Sequence, residues 1–297
     1  MGELMQDQQR VTPEGLELAP RRRRAHLRRL LRRPLTVVGA VIVLIFVVTA
    51  VIGVFVTPHA PDELIYTAVL APPTANYPFG TDDLGRDILS RIIAGAHISL
   101  TVGVVAIGLA MLVGTTLGLL AGYLGGWTDA VIMRLMDIML AFPDILLAIV
   151  IIAILGPGLP NVVIAVGIGA VPVYTRTVRA AVLSVREQEF VEAAHALGLS
   201  PWRIMRVHIL RNVAAPIIVL ATLGVGLAIL IAAGLSFIGI GAQPPTPEWG
   251  DMLNEAQNYL QQAWWMAVFP GSAITLTVIG LNLLGDGLRE LLDPTIR

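Results

Sequence analysis

The chain reads as an all-α integral membrane protein with six transmembrane helices. Three observations carry that reading. Of its 297 residues, 56% are hydrophobic and only 14% are charged, where soluble domains carry about 25% charged residues, and the mean hydropathy is +0.77. Six apolar stretches are long enough to cross about 30 Å of hydrocarbon. The arginines fall almost entirely on one side of the membrane that those stretches imply.

The N-terminal segment 1–34 is polar and then basic, with eight arginines between Arg21 and Arg33. It is read as a disordered, Arg-rich cytoplasmic tail. Residues 35–56, Leu35 to Val56, run 22 residues without a charge and form the first transmembrane helix. A cleavable signal peptide fits less well, because such an apolar region is only about 7–15 residues long and ends in a small-x-small site. Five further apolar segments follow at 97–122, 129–155, 159–181, 212–238 and 265–286. Arginines before the first span place the N-terminus in the cytoplasm, and six spans bring the C-terminus back there. On that topology the outer segments 57–96, 156–158 and 239–264 hold only Arg86 and Arg91 of the twenty arginines. The inverted topology would translocate nearly all the others. The expectation is a multi-pass protein of the cell (inner) membrane with both termini cytoplasmic.

Two residue types are missing. There is no cysteine and no lysine. Disulfides, thiol nucleophiles and Cys-based metal sites are excluded. A phosphate-binding P-loop needs lysine to reach the phosphates, so this chain does not bind ATP in that way. A net charge of −1 gives no ground for nucleic-acid binding. No His-Glu-x-x-His sequence occurs, and His195 and His208 read as surface histidines. No catalytic and no metal-ligating residue is assigned.

Within segment 57–96, Thr81 is a helix cap with Asp82 and Asp83 in the first turn. Leu84, Ile88, Ile92 and Ala96 follow at helical spacing. The pattern predicts an amphipathic helix in the outer interface, its charges serving solubility, orientation or the docking of an external protein. Gly114, Gly118 and Gly122 recur every fourth residue and permit close helix packing, within the chain or between subunits. Arg134 and Asp137, three apart, are spaced to pair. Pro143 should kink the third span. Asp144 behind it is an intramembrane acid that suits a transport pathway or gate, a cap on the segment after the kink, or the outer interface. The segment 239–264 reads as a lid or re-entrant loop with Trp249, Trp264 and Trp265 at the headgroup boundary, and with Glu248, Asp251 and Asn254 free to meet a partner.

The longest charged, amphipathic stretch is the cytoplasmic loop 186–211. Phe190, Val191, Ala194 and Leu197 make an apolar stripe, Gly198 stops the helix, and Ser200 with Pro201 starts the next. A polar helical hairpin between spans is suited to contact something soluble.

This hairpin resembles the EAA loop of ABC-importer permeases: Glu192, Ala193, Ala194 and Gly198 stand at the same spacing, although Arg211 occupies the slot of the family's proline, so the helix there should run straighter. Gly80-Thr81-Asp82 with Gly85-Arg86-Asp87, Gly122 to Asp129, Ser236 to Gly250 and Asp293-Pro294 are similar to the peptide-transport branch. From about residue 26 onward the chain resembles the C-type permease of dipeptide and oligopeptide ABC importers. The resemblance implies a MetI-like type I core of five helices over 97–297, preceded by an anchor helix. It implies a homologous permease subunit as heterodimeric partner, two cytoplasmic ATPases that bind the ATP and Mg, an extracytoplasmic substrate-binding protein, and no cofactor in this chain. Residues 190–203 then form a coupling helix, with Glu192, Ala193, Ala194, Leu197, Gly198 and Leu199 at the ATPase. The substrate is expected to be a peptide, with nickel, glutathione or a sugar as alternatives within the family. A proton-coupled transporter using Asp144 is the alternative of another class.

Overall fold

A computed structural model describes residues 33–292; the Arg-rich tail and the closing Asp293-Pro294 lie outside the described residues. The described residues are helical throughout, apart from turns, loops and one isolated β-bridge between Thr81 and Asp87. In order they form α1 Pro34–Ile52, α2 Ile88–Leu124, α3 Gly126–Leu140, α4 Asp144–Leu155, α5 Leu159–Arg186, α6 Glu189–Ala196, α7 Pro201–Phe237, α8 Trp249–Ala256 and α9 Trp265–Leu292. Five of them are long and apolar enough to cross a membrane, and the pair α3 and α4, bent by 92°, makes a sixth if counted as one span.

The glycine ridge packs inside the chain. A Cβ on Gly114 would stand 2.5 Å from Tyr174 Cβ, one on Gly118 2.7 Å from Val178 Cβ, and one on Gly122 2.8 Å from Val182 Cβ. Bare backbone on α2 therefore lets α5 approach closely, which is how helices gain contact where lipid supplies no hydrophobic drive. The anchor helix α1 crosses α9 in the same way, with a Cβ on Gly39 reaching 2.6 Å from Leu283 Cβ and one on Gly280 2.7 Å from Ile42 Cγ2.

Three expected features differ. The third span is two helices: Pro143 has extended ψ of 136° and serves as the N-cap of α4, so the chain turns instead of kinking. Asp137 pairs with Arg176 on α5, not with Arg134, because α5 offers a guanidinium across the helix interface. No helix starts at Thr81. Its hydroxyl instead donates to Ala68 O and accepts from Ala71 N at 2.8 Å. Helix α2 starts at Ile88 under the side chain of Asp87, which accepts from Ser90 N at 3.1 Å, and runs unbroken into the membrane.

Candidate coupling hairpin and transport cleft

The hairpin 186–211 is built on a helix stop that the sequence specifies. After α6, Leu199 N donates to Ala194 O at 3.2 Å and Gly198 N to His195 O at 2.9 Å. This is the Schellman pattern, which needs a left-handed residue, and Gly198 has φ of +72°. Helix α7 then begins at Pro201 without a side-chain cap from Ser200. Its first turns widen into a π-helix over Ile204–Ile209, and Asn212 Nδ2 takes the His208 carbonyl at 2.6 Å. Past Arg211 the helix continues without a break, and the proline inside it is Pro216.

The apolar stripe divides in two. Val191 and Ala194 turn inward and are buried with Ile204, Ile209 and Val213 of α7 and Val178 and Val182 of α5. Leu199 packs against the same cluster. Leu197 stands at the turn, 80% exposed, with Trp202, five residues on, 63% exposed and Phe190 37% exposed. Glu192, Ala193 and Gly198 are exposed. Of the six residues expected at a partner, Ala194 and Leu199 hold the hairpin together, while Glu192, Ala193, Leu197 and Gly198 are presented outward. The division follows from helix geometry: seven residues after Phe190 the chain has left α6, so Leu197 no longer shares its inner face. Trp202, within the expected coupling segment 190–203, is 63% exposed rather than packed in the hairpin core.

The hairpin sits in a socket at the end of α2. Arg186 Nη1 donates to the carbonyls of Gly122 at 3.1 Å and Tyr123 at 3.3 Å, where a cation suits a helix C-terminus. Tyr123 stacks on His195, interplanar angle 5°, with its hydroxyl 3.2 Å from His195 Nε2. Arg179 on α5 grips Asp129 on α3 with two contacts at 2.5 and 2.6 Å. The stretch Gly122 to Asp129 thus ties α2, α3, α5 and the hairpin together at one end of the bundle.

A second candidate is a cleft of about 180 Å³ between α2, α4, α5 and α7. Its lining is apolar apart from Asp144 and Tyr174, and the Tyr174 hydroxyl is already engaged, donating to Leu220 O at 3.2 Å. Asp144 occupies the first turn of α4, where a negative charge suits the helix dipole. It lies at the end of α4 opposite the Gly156–Gly158 turn, one residue past the N-cap Pro143, and α4 starts without a side-chain cap hydrogen bond.

On the other side of the bundle the expected lid is a packed layer. Trp249 is fully buried and donates from Nε1 to Ile92 O at 3.1 Å; Trp265 is buried and donates to Thr81 O at 3.0 Å. Of the three tryptophans expected at a headgroup boundary, Trp264 alone is exposed, at 52%. Glu248 and Asp251 are buried and unavailable to a partner, and Asn254 Nδ2 is occupied by Phe237 O at 2.5 Å. Arg86 and Arg91, expected to be solvent-facing, are interior. Arg86 Nε donates to Asp82 Oδ2 at 2.5 Å and Nη2 to Glu255 Oε1 at 2.8 Å, while Arg91 Nη2 donates to Glu255 Oε2 at 3.2 Å. Burial opposes the charge on Arg86, but Asp82 and Glu255 outweigh it and raise its pKa. Burial pushes up the Glu248 carboxyl, and burial with the neighbouring Glu255 and Glu248 pushes Asp251 up to about 7. Asp251 Oδ2 has no hydrogen-bond partner among the described residues. No group of His, Cys, Asp or Glu among the described residues is placed to hold a metal ion.

The chain is similar to known proteins. The family model for the binding-protein-dependent transport system inner membrane component matches residues 114–297, and that for the N-terminal TM domain of oligopeptide transport permease C matches residues 22–80. The chain is 50% identical over 274 residues to the dipeptide transport system permease protein DppC of Alkalihalophilus pseudofirmus, covering 92% of this chain and 90% of that one. It is 46% identical to the probable D,D-dipeptide transport system permease protein DdpC of Escherichia coli, with 88% of each chain covered. It is 44% identical to the glutathione transport system permease protein GsiD of Pectobacterium atrosepticum, covering 91% of this chain and 90% of that one. A solved structure of the MetNI methionine ABC transporter in an inward-facing conformation superposes with a TM-score of 0.56 at 19% identity, covering 68% of this chain and 96% of that one. The likeness shows that the core has this fold. The alternative of a proton-coupled transporter falls away, and the chain belongs to the family of binding-protein-dependent transport system inner membrane components, as a non-catalytic, multi-pass permease subunit of an ABC importer.

Proposed function

We propose that the chain carries short peptides inward across the cell membrane, with both termini in the cytoplasm, and that its hairpin 190–203 is the lever through which ATPase subunits drive it. The observation that carries the lever reading is the exposure of Leu197 and Trp202 on a hairpin whose core is otherwise closed. Large apolar side chains exposed on a polar projection mark a docking surface. Two cytoplasmic ATPases supply ATP and Mg, a homologous permease completes the pathway, and a binding protein delivers the substrate outside. Closure of the ATPases moves the hairpin; Arg186, the Tyr123–His195 stack and the α5–α7 core transmit that movement to the spans. This is a two-state element biased by a ligand on another subunit. The peptide assignment is supported by similarity to relatives named for dipeptides and di/tripeptides. Relatives named for glutathione keep a substituted tripeptide in view.

The test uses the assembled importer in proteoliposomes. Leu197→Glu should insert and assemble normally but lose dipeptide uptake and the ATPase stimulation given by loaded binding protein. Wild-type coupling in that variant sinks the lever; absence of peptide uptake by the wild-type assembly sinks the substrate assignment. The purified chain alone should hydrolyse no ATP.

A further inference from the structure

Asp144 is the one carboxyl group lining the cleft between α2, α4, α5 and α7. No arginine or histidine among the described residues forms an ion pair with it. Ionisable groups inside membrane segments ordinarily face the bundle interior or a water-filled cavity; Asp144 is accessible, and the other walls of the cleft are Val173, Leu223, Leu227 and similar apolar side chains. The twelve residues of α4 place Asp144 about 18 Å from the Gly156–Gly158 turn, more than half of a hydrocarbon layer of about 30 Å. A break in a span near the bilayer centre is where transporters commonly hold polar substrate groups. At this break the backbone turns by 92° between α3 and α4. The carbonyls of Leu140, Ala141 and Phe142 accept no backbone hydrogen bond among the described residues, so further acceptors stand next to the carboxyl in sequence.

A cleft lined by one carboxyl and no basic group is complementary to a cation and poorly suited to an anion. We propose that Asp144 receives the primary ammonium group of the substrate as it passes the broken span, so that the cleft is the ammonium subsite of the pathway. The inference rests on the peptide reading above, since every unblocked peptide carries such a group. Asp144 is a positioning residue for the cargo; the peptide's carboxylate end finds no partner in this cleft and points away from it.

The experiment measures uptake of alanyl-alanine, whose only ammonium is the terminal one, by the reconstituted importer. Asp144→Asn removes the charge at nearly constant size and should lower uptake at saturating binding protein at least about tenfold, the order expected when a hydrogen-bonded charge loses its partner. Asp144→Glu should retain most of the rate. Uptake by Asp144→Asn at the wild-type rate overturns the inference while leaving the peptide reading intact, and an equal loss in both variants marks a structural requirement and overturns it as well. A wild-type importer that moves no peptide fails at the earlier step and removes both. Should Asp144→Asn fail to insert, Val173→Cys in this cysteine-free chain is labelled with a methanethiosulfonate in the otherwise wild-type background. Slower labelling during alanyl-alanine turnover supports the subsite; unchanged labelling rules it out.

Discussion

Arg91 on α2 and Glu255 on α8, 164 residues apart in sequence, meet at 3.2 Å with the arginine side chain fully buried. The other oxygen of Glu255 holds Arg86 at 2.8 Å. One carboxylate therefore fastens two guanidiniums and pins α8 to the start of α2.

Removing one partner of a buried ion pair leaves an uncompensated charge, at a cost of about 3–5 kcal/mol. Glu255→Gln should lower the thermal midpoint of the detergent-solubilised protein by several degrees. Arg91→Lys should do nearly the same, because an ammonium does not reproduce the planar fork. A midpoint unchanged in both variants would show that the network contributes nothing to stability.

Asp251 gives α8 a pH dependence whose sign follows from its burial. Its carboxyl titrates near 7 in the folded chain, above its ordinary value of 3.8, so folding favours the protonated form. The associated stability is fully present below about pH 4 and is lost as pH rises through about 7. Asp251→Asn should raise the thermal midpoint at pH 8, and the difference from wild type should shrink toward pH 5. A difference that grows on acidification would reverse the assignment.

Gly118 tests the α2–α5 contact. A methyl there meets Thr175 O and Val178 Cβ, each at 2.7 Å. Gly118→Ala should destabilise by about 1–3 kcal/mol, the usual cost of overpacking. Gly108→Ala on the same helix, with nothing within 4 Å, serves as the neutral control. Thermal unfolding of the two variants side by side decides the matter.

Gly198 separates fold from coupling. Its φ of +72° disfavours a side chain, but nothing lies within 4 Å of an added Cβ. Gly198→Asp should cost about 1 kcal/mol in backbone strain and insert normally, yet abolish uptake if a partner approaches the turn. Uptake and ATPase coupling at wild-type levels would contradict that approach.

Much of this molecule is legible in its residues. Apolar runs gave the spans because hydrocarbon admits almost nothing else, and Gly198 announced the hairpin turn because a left-handed stop favours glycine. Local rules failed where a distant group outcompeted a near one. Arg134 stands three residues from Asp137, yet Arg176 on α5 takes the carboxylate. The apolar spacing from Leu84 to Ala96 fitted a surface helix, whereas Asp82, Arg86 and Arg91 are consumed by an interior network.

Hydropathy, the one-sided arginines, the absence of lysine and the glycine spacings follow from composition and short-range order, and they establish an all-helical membrane protein and predict a cytoplasmic hairpin. Which charges are buried, which half of the hairpin faces outward, and that Asp144 lines a cleft depend on contacts between segments far apart in the chain. Periodicity assigns a residue to a helix face, but only the packing of another helix against that face determines whether it meets a partner, lipid or water.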